Sequence, residues 1–256
     1  MNLVFVGAGR LATQLAKAIH RKGHVVQAVY SRTMDSAQAL CSVVGGFPTD
    51  SIAALPLSAD AYILAVKDSV LSSLIPQLVE GREQRSFFHT AGSVPMSVFG
   101  NVRHHGVIYP MQTFSKERDV DFAHVPIFIE GSDGQTVHLA RMIASAVSDR
   151  VTELSSEQRR YLHLAAVFAC NFPNHCYALA AGILEQHGLP FDVMLPLIEE
   201  TASKVQTMHP REAQTGPAVR YDENVIEAQK ALLADSPMAQ QVYDVMSKSI
   251  HILAND

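Results

Sequence analysis

The chain contains no tryptophan and only three cysteines, Cys41, Cys170 and Cys176, in 256 residues. The lack of tryptophan excludes nothing, whereas the cysteine pattern does. No C-x-x-C pair is present and three thiols leave no even disulfide framework, so a disulfide-stapled secreted domain does not fit. A reducing, cytoplasmic setting does. Basic runs are also missing: 20 Lys and Arg stand against 25 Asp and Glu, for a formal charge of −5. That balance offers no footprint for a phosphate backbone, and no nucleic-acid partner is expected. No charged leader precedes the first apolar run, so no signal peptide is expected either. Between Tyr161 and Leu184 every Asp, Glu, Lys and Arg is missing, a gap as long as a membrane span. It still holds His163, Asn171, Pro173, Asn174 and His175, all costly in lipid, and reads better as a buried central helix.

What is there is a globular balance, 48% apolar and 18% charged, enough for a substantial core. The most informative stretch comes first. Leu3 to Val6 are continuously apolar, as in a parallel strand covered on both faces. Gly7, Gly9 and Ala12 then fill the three positions of the G-x-G-x-x-G/A fingerprint of dinucleotide sites. Gly7 permits the tight turn, Gly9 lets backbone approach a pyrophosphate, and small Ala12 lets helix and strand pack closely. The following helix aims its free N–H groups and positive dipole end at phosphate. Strand, motif and helix stand in the order the motif requires, which places Gly7, Ala8, Gly9, Arg10 and Leu11 at a cofactor.

Two rhythms divide the chain. From residue 1 to 152 strands alternate with helices: a helix from Arg10 to Lys22, a strand over Val25 to Tyr30, a helix over Asp35 to Val44 and a strand over Ala61 to Val66. Ser69 to Leu78 follows as a helix, and Ser86 to Thr90, Gly106 to Tyr109 and Val125 to Glu130 as extended segments. Such alternation predicts an α/β domain with a parallel, doubly wound sheet. From residue 153 to 256 the strand signals stop. Ser155-Ser156-Glu157 resembles a helix start, and apolar-periodic segments cover Glu157 to His187, Pro190 to Met208, Asn224 to Ala234 and Pro237 to Leu253. Pro173 is expected to kink the first of these. No internal repeat and no low-complexity linker separates the halves. Helices this apolar, over a segment this short, suit a homodimer that completes its core against a second copy.

The end of the second strand bears on the kind of dinucleotide. NAD enzymes place an acidic residue there to grip the ribose hydroxyls. Here the strand ends Ser31-Arg32-Thr33, and the first acid, Asp35, falls in the next helix. An arginine flanked by hydroxyls suits the 2′-phosphate of NADP(H), the alternative being a surface arginine over a loop. Ala65 and Val66, at the end of a later strand, complete the expected cofactor edge.

Four further segments give a resemblance: His89-Thr90-Ala91-Gly92, Tyr109 to Phe114, Tyr161 to Ala166 with Asn171, and Gln214 to Asp222, with its Thr-Gly-Pro-x-x-Arg-x-Asp pattern. Together with Gly7 to Ala12 they resemble two-domain NADP oxidoreductase-like proteins that join a Rossmann domain to a C-terminal domain of the type called DUF2520. These are similar to pyrroline-5-carboxylate reductases, F420-dependent NADP reductases and β-hydroxyacid dehydrogenases. The resemblance implies a helical dimerisation and substrate domain like that of 6-phosphogluconate dehydrogenase, with the cleft between it and the carboxyl edge of the sheet. It implies no particular substrate. Three departures stand out. Many relatives carry His-Pro where this chain has Tyr109-Pro110, and histidine where it has Gln229. The lysine that β-hydroxyacid dehydrogenases place four residues before the helix asparagine is Val167 here.

Candidate chemistry follows from these segments. His163 lies eight residues before Asn171, a little over two helical turns, so both can face one cleft. An imidazole there could protonate a carbonyl or imine as hydride arrives; a hydrogen-bonded core histidine is the alternative. His89 and Thr90 end a strand, where ligands of open sheets collect, although Thr90 could equally cap a helix. Gln112 and Thr113 line a substrate pocket or form a turn. Gly216 and Arg220 precede a helix, and Arg220 either clamps a substrate carboxylate or pairs with an acid such as Asp222. Twelve histidines include only His104-His105 as neighbours, which face opposite ways on a strand, so no metal is expected. The reading is an NADP(H)-dependent oxidoreductase of a small C=O or C=N compound bearing a carboxylate. The alternative is an NADP(H)-binding sensor or scaffold without turnover, which the missing lysine favours.

Overall fold

A computed structural model describes residues 1–116 and 118–256. The first half reads β1 (Asn2–Val6), α1 (Arg10–Arg21), β2 (Val25–Tyr30), α2 (Met34–Val44), β3 (Phe47–Thr49), β4 (Ala61–Leu64), α3 (Leu71–Val79), β5 (Ser86–His89), β6 (His104–Pro110), β7 (Ile127–Gly131), α4 (Gly134–Ser145) and β8 (Val151–Glu153). The strands form one sheet in the order β3-β2-β1-β4-β5-β6-β7-β8. All neighbours are parallel except β6 and β7, so the doubly wound sheet is mostly rather than wholly parallel. The chain order reverses between β1 and β4, the switch point at which open α/β sheets form their crevice.

Alternation along β1 sets up two cores. Leu3 and Phe5 face α1, α2 and α4 with Leu15, Ile19, Leu40 and Ile143. Val4 and Val6 face α3 with Leu71, Leu74, Ile75 and Leu78. Burial on both faces explains the unbroken apolar run of β1. Helix α4 covers the β6–β7 side and has no counterpart in the sequence reading. Its start is nevertheless marked, because the Asp133 side chain accepts the Thr136 amide at 2.8 Å.

After β8 every regular element is helical. Helix α5 (Ser156–Ala166) begins with a capping box: Ser155 accepts the Gln158 amide while the Gln158 side chain accepts the Ser155 amide. The next five residues, Val167–Asn171, form a π-helical turn. Pro173 follows directly and has no N–H to continue the ladder, so the expected distortion takes the form of this widened turn. The compact first unit extends through Asn171, beyond the change of secondary structure at residue 153. Arg159 gives the reason. Only 1% exposed, it pairs with Glu130 of β7 at 2.5 Å and donates to the Val94 carbonyl at 2.7 Å, fixing α5 to the sheet.

The second unit, residues 172–256, holds α6 (Phe172–Gln186), α7 (Leu195–Thr207), α8 (Pro210–Ala213), α9 (Pro217–Arg220), α10 (Glu223–Ala231) and α11 (Pro237–Asn255). Its fully buried residues are only Ala218, Ile226 and Ser247. Among the described residues no helix is long and apolar enough to cross a membrane.

Candidate functional site

Two of the clefts in the first unit open beside the carboxyl ends of its parallel strands. One of about 400 Å³ is lined by Gly7, Ala8 and Gly9, by Ser31, Arg32 and Thr33, by Ala65 and Val66, and by Lys67 and Lys116. The glycines are there for different reasons. Gly7 has φ +117°, and a side chain on it would collide with the Ala65 carbonyl. Gly9 has no atom within 4 Å of where a Cβ would stand, and it is the N-cap of α1 without any side-chain cap. The open space above Gly9 and the uncapped helix N-terminus together form a cradle for a pyrophosphate. Three cations, Arg32, Lys67 and Lys116, line this cleft, and no carboxylate does among the described residues.

Eight of the twelve residues expected at the cofactor gather in this cleft. The others do not. Arg10 is exposed at the first turn of α1, outside the lining, and Leu11 packs against the core. Thr90 is buried, its hydroxyl donating to the Leu64 carbonyl at 3.4 Å, and it caps no helix. His89 corrects the expectation most plainly. Fully buried, it stacks on Phe99 with ring centroids 5.7 Å apart, and its Nδ1 accepts the Ala91 amide at 3.1 Å. Burial, helped by the nearby Arg159 charge, pushes its pKa down to about 3, so the ring is a neutral part of the core.

The second cleft, of about 560 Å³, brings together His163, Asn171, Gln112 and Thr113 with Tyr109, Met111 and Cys170. The pair expected from helical spacing therefore lines one cleft, with Asn171 as the last residue of the π turn. His163 is half-buried, and its Nδ1 lies 2.9 Å from the Tyr109 hydroxyl with the rings edge to face. Burial raises the Tyr109 pKa, against the pull of Arg159, so the phenol stays protonated. Gly92 makes the pairing possible, since a Cβ there would overlap the His163 ring and approach Tyr109 to 2.9 Å. Gln112 turns back on the chain, its Oε1 accepting the Thr113 amide at 2.8 Å. The sequence reading gives Tyr109 no chemical role, placing it only in a resemblance segment and as a departure from relatives. Its position at the end of β6, beside the sheet edge that gathers ligands, was the available signal.

The remaining sequence candidates lie elsewhere. Gly216 has φ +108° and begins α9, which ends at exposed Arg220 in the second unit. Asp222 caps α10 through the Val225 amide at 3.4 Å and is no ion-pair partner of Arg220. His104 pairs with Asp133 at 3.0 Å and His105 Nδ1 donates to the Val102 carbonyl at 2.7 Å, each in a structural role.

Comparison with known proteins extends this picture. Residues 1–112 match a Rossmann-like domain and residues 125–250 match a domain of unknown function, DUF2520. A Bacteroides fragilis protein described as a "putative NADP oxidoreductase" is 53% identical, with a TM-score of 0.94 over 98% of this chain and 97% of that one. A Thermotoga maritima protein, 23% identical, gives a TM-score of 0.80 over 99% of this chain and 100% of its own. An imine reductase of Myxococcus stipitatus, solved with NADP+, is 15% identical and gives 0.72 over 100% of this chain and 94% of its own. These last two likenesses establish a shared fold alone. No curated protein matches the sequence. The identity and coverage of the Bacteroides likeness settle the family: this chain belongs to the proteins that join an N-terminal Rossmann-like domain to a C-terminal DUF2520 domain.

Proposed function

We propose that the protein is an NADP(H)-dependent oxidoreductase that reduces a small C=O or C=N compound. The observation that carries this reading is the phosphate cleft, whose glycine cradle is bordered by three cations and by no described carboxylate. The match to a described NADP oxidoreductase and the NADP+ bound to a fold relative support it. NADPH, when bound, supplies the hydride. Gly7 to Gly9 and the N-terminus of α1 hold the pyrophosphate, and Arg32 with Ser31 and Thr33 takes the 2′-phosphate.

His163 is the proton donor in this reading. Imidazolium gives one proton to the substrate heteroatom and becomes neutral. The Tyr109 hydroxyl keeps the ring in place through that change. The proton leaves from Nε2, so Nδ1 keeps its hydrogen and donates to the Tyr109 hydroxyl oxygen both before and after the transfer. Asn171, Gln112 and Thr113 offer neutral hydrogen-bonding groups to the substrate. Oxidation of NADPH, followed at 340 nm against cyclic imines and small keto acids, tests the activity. Silence across the panel with NADPH demonstrably bound favours a sensor instead.

Cofactor preference has its own expected result. Gly9→Val fills the open space above the cradle and should abolish binding of NADPH and NADH alike. Arg32→Glu should weaken NADPH by about 10–100-fold, the scale of a lost charge-assisted phosphate contact, and leave NADH unchanged or tighter. Equal losses for both dinucleotides in calorimetric titrations of Arg32→Glu refute the 2′-phosphate assignment.

The protein works as a homodimer in this reading. A helical unit with three buried residues exposes Leu197 by 63%, Leu232 by 85%, Met238 by 70% and Val245 by 64%. Apolar exposure on that scale marks a protein surface that is covered in solution. A second copy of the same unit supplies a matching apolar face. Light scattering should give about twice the chain mass of 27.9 kDa, and a monomer at micromolar concentration rules the dimer out.

A further inference from the structure

Helix α1 buries one strongly polar side chain. Gln14 is 2% exposed, and its amide is committed to the segment that follows β6. Its Nε2 donates to the Ser115 carbonyl at 2.7 Å and the Arg118 carbonyl at 3.0 Å, with the Lys116 carbonyl at 3.4 Å. Its Oε1 accepts the Val120 amide at 3.4 Å. Further along the same helix, Lys17 and Arg21 pair with Asp119 at 3.0 and 2.6 Å. Residues 14, 17 and 21 recur at helical spacing, so one face of α1 grips this segment.

Burying an amide is tolerated only when its donors and acceptor are satisfied, and Gln14 spends all of them on holding backbone. The residue delivered by this grip is Lys116, which lines the same cleft as Gly7, Gly9 and Arg32. The nearest described carboxylate of the segment, Asp119, is already committed to Lys17 and Arg21. Lys116 lines the cleft together with Arg32 and Lys67.

We propose that Lys116 contacts a phosphate of the bound dinucleotide and that Gln14 is the residue that positions it there. This inference rests on the reading of the cleft as an NADP(H) site. A lysine acts on phosphate as a compact point charge, and its contribution depends on the backbone that carries it being fixed before binding.

The test is calorimetric titration of NADPH and NADH into wild type, Lys116→Met, Gln14→Leu and the double variant at two salt concentrations. Lys116→Met should raise the Kd for NADPH about tenfold and make it less sensitive to salt. A matching loss for NADH assigns the contact to the pyrophosphate, and a loss confined to NADPH assigns it to the 2′-phosphate; either supports the inference. Gln14→Leu should weaken binding by a similar factor and add nothing further when Lys116 is already Met. Additive effects would remove the positioning role of Gln14. Lys116→Met binding both dinucleotides within twofold of wild type would overturn the proposal even if Gln14→Leu fails to fold. Wild type that binds neither dinucleotide removes the cofactor reading itself, and the proposal with it.

Discussion

Arg159→Ala should destabilise the first unit by about 3–5 kcal/mol, the usual cost of removing one partner from a buried ion pair. The guanidinium is 1% exposed and the Glu130 carboxylate 16% exposed, so solvent screens neither well. Glu130 also accepts the Ser156 amide at 2.9 Å and the Ser156 hydroxyl at 2.7 Å, both at the start of α5. Arg159 reaches further, to the Val94 carbonyl in the loop that carries Gly92. Its loss leaves a partly buried carboxylate held only by Ser156, without its cationic partner, and frees the helix that presents His163. Urea unfolding should show the loss as a lower midpoint with little change in slope. Arg159→Met combined with Glu130→Gln should recover part of it, because the uncompensated charge is gone. A single Arg159→Ala variant within 1 kcal/mol of wild type would show that the pair does not anchor α5.

That anchor also marks where sequence reading loses its grip. The β1–glycine–α1 unit is legible because each residue type there answers a local demand, whether burial on both faces, a positive φ at Gly7 or an open approach at Gly9. The capping box at Ser155 is equally local. Strands β3 and β8 are three residues each, too short for any period, and exist because a neighbouring strand pairs with them. The antiparallel run of β7 is likewise a property of pairing and not of composition. Helix α4 opens Gly134-Gln135-Thr136-Val137, and the weak helix formers Gly134, Thr136 and Val137 hide the signal of its Asp133 cap.

The candidate site divides the same way. His163 and Asn171 are related by helical spacing and do share a cleft, whereas Tyr109 meets His163 across 54 residues of sequence. No local pattern announces that pairing. His89 failed for a simpler reason. Ligand-binding ends of strands and buried ends look alike in sequence, and alternation along β5 turns His89 inward onto Phe99.

The largest functional effect should come from His163. His163→Ala removes the proton donor and is expected to lower turnover by about 10²-fold or more on any substrate the panel yields. Affinity for NADPH should be nearly unchanged, because His163 lies outside the phosphate cleft. Stability should fall by about 1 kcal/mol, since the side chain is half-buried and its loss leaves the Tyr109 hydroxyl without this partner. Tyr109→Phe separates donor from support. It keeps the ring that packs against His163 but removes the hydrogen bond, so turnover should drop by about tenfold and the pH profile should move, with proton donation itself retained. Asn171→Ala should act mainly on KM, as expected of a group that orients bound substrate. A His163→Ala protein that is folded, binds NADPH and turns over as fast as wild type would end the assignment, and a Tyr109→Phe profile superimposable on wild type would reduce the pair to packing.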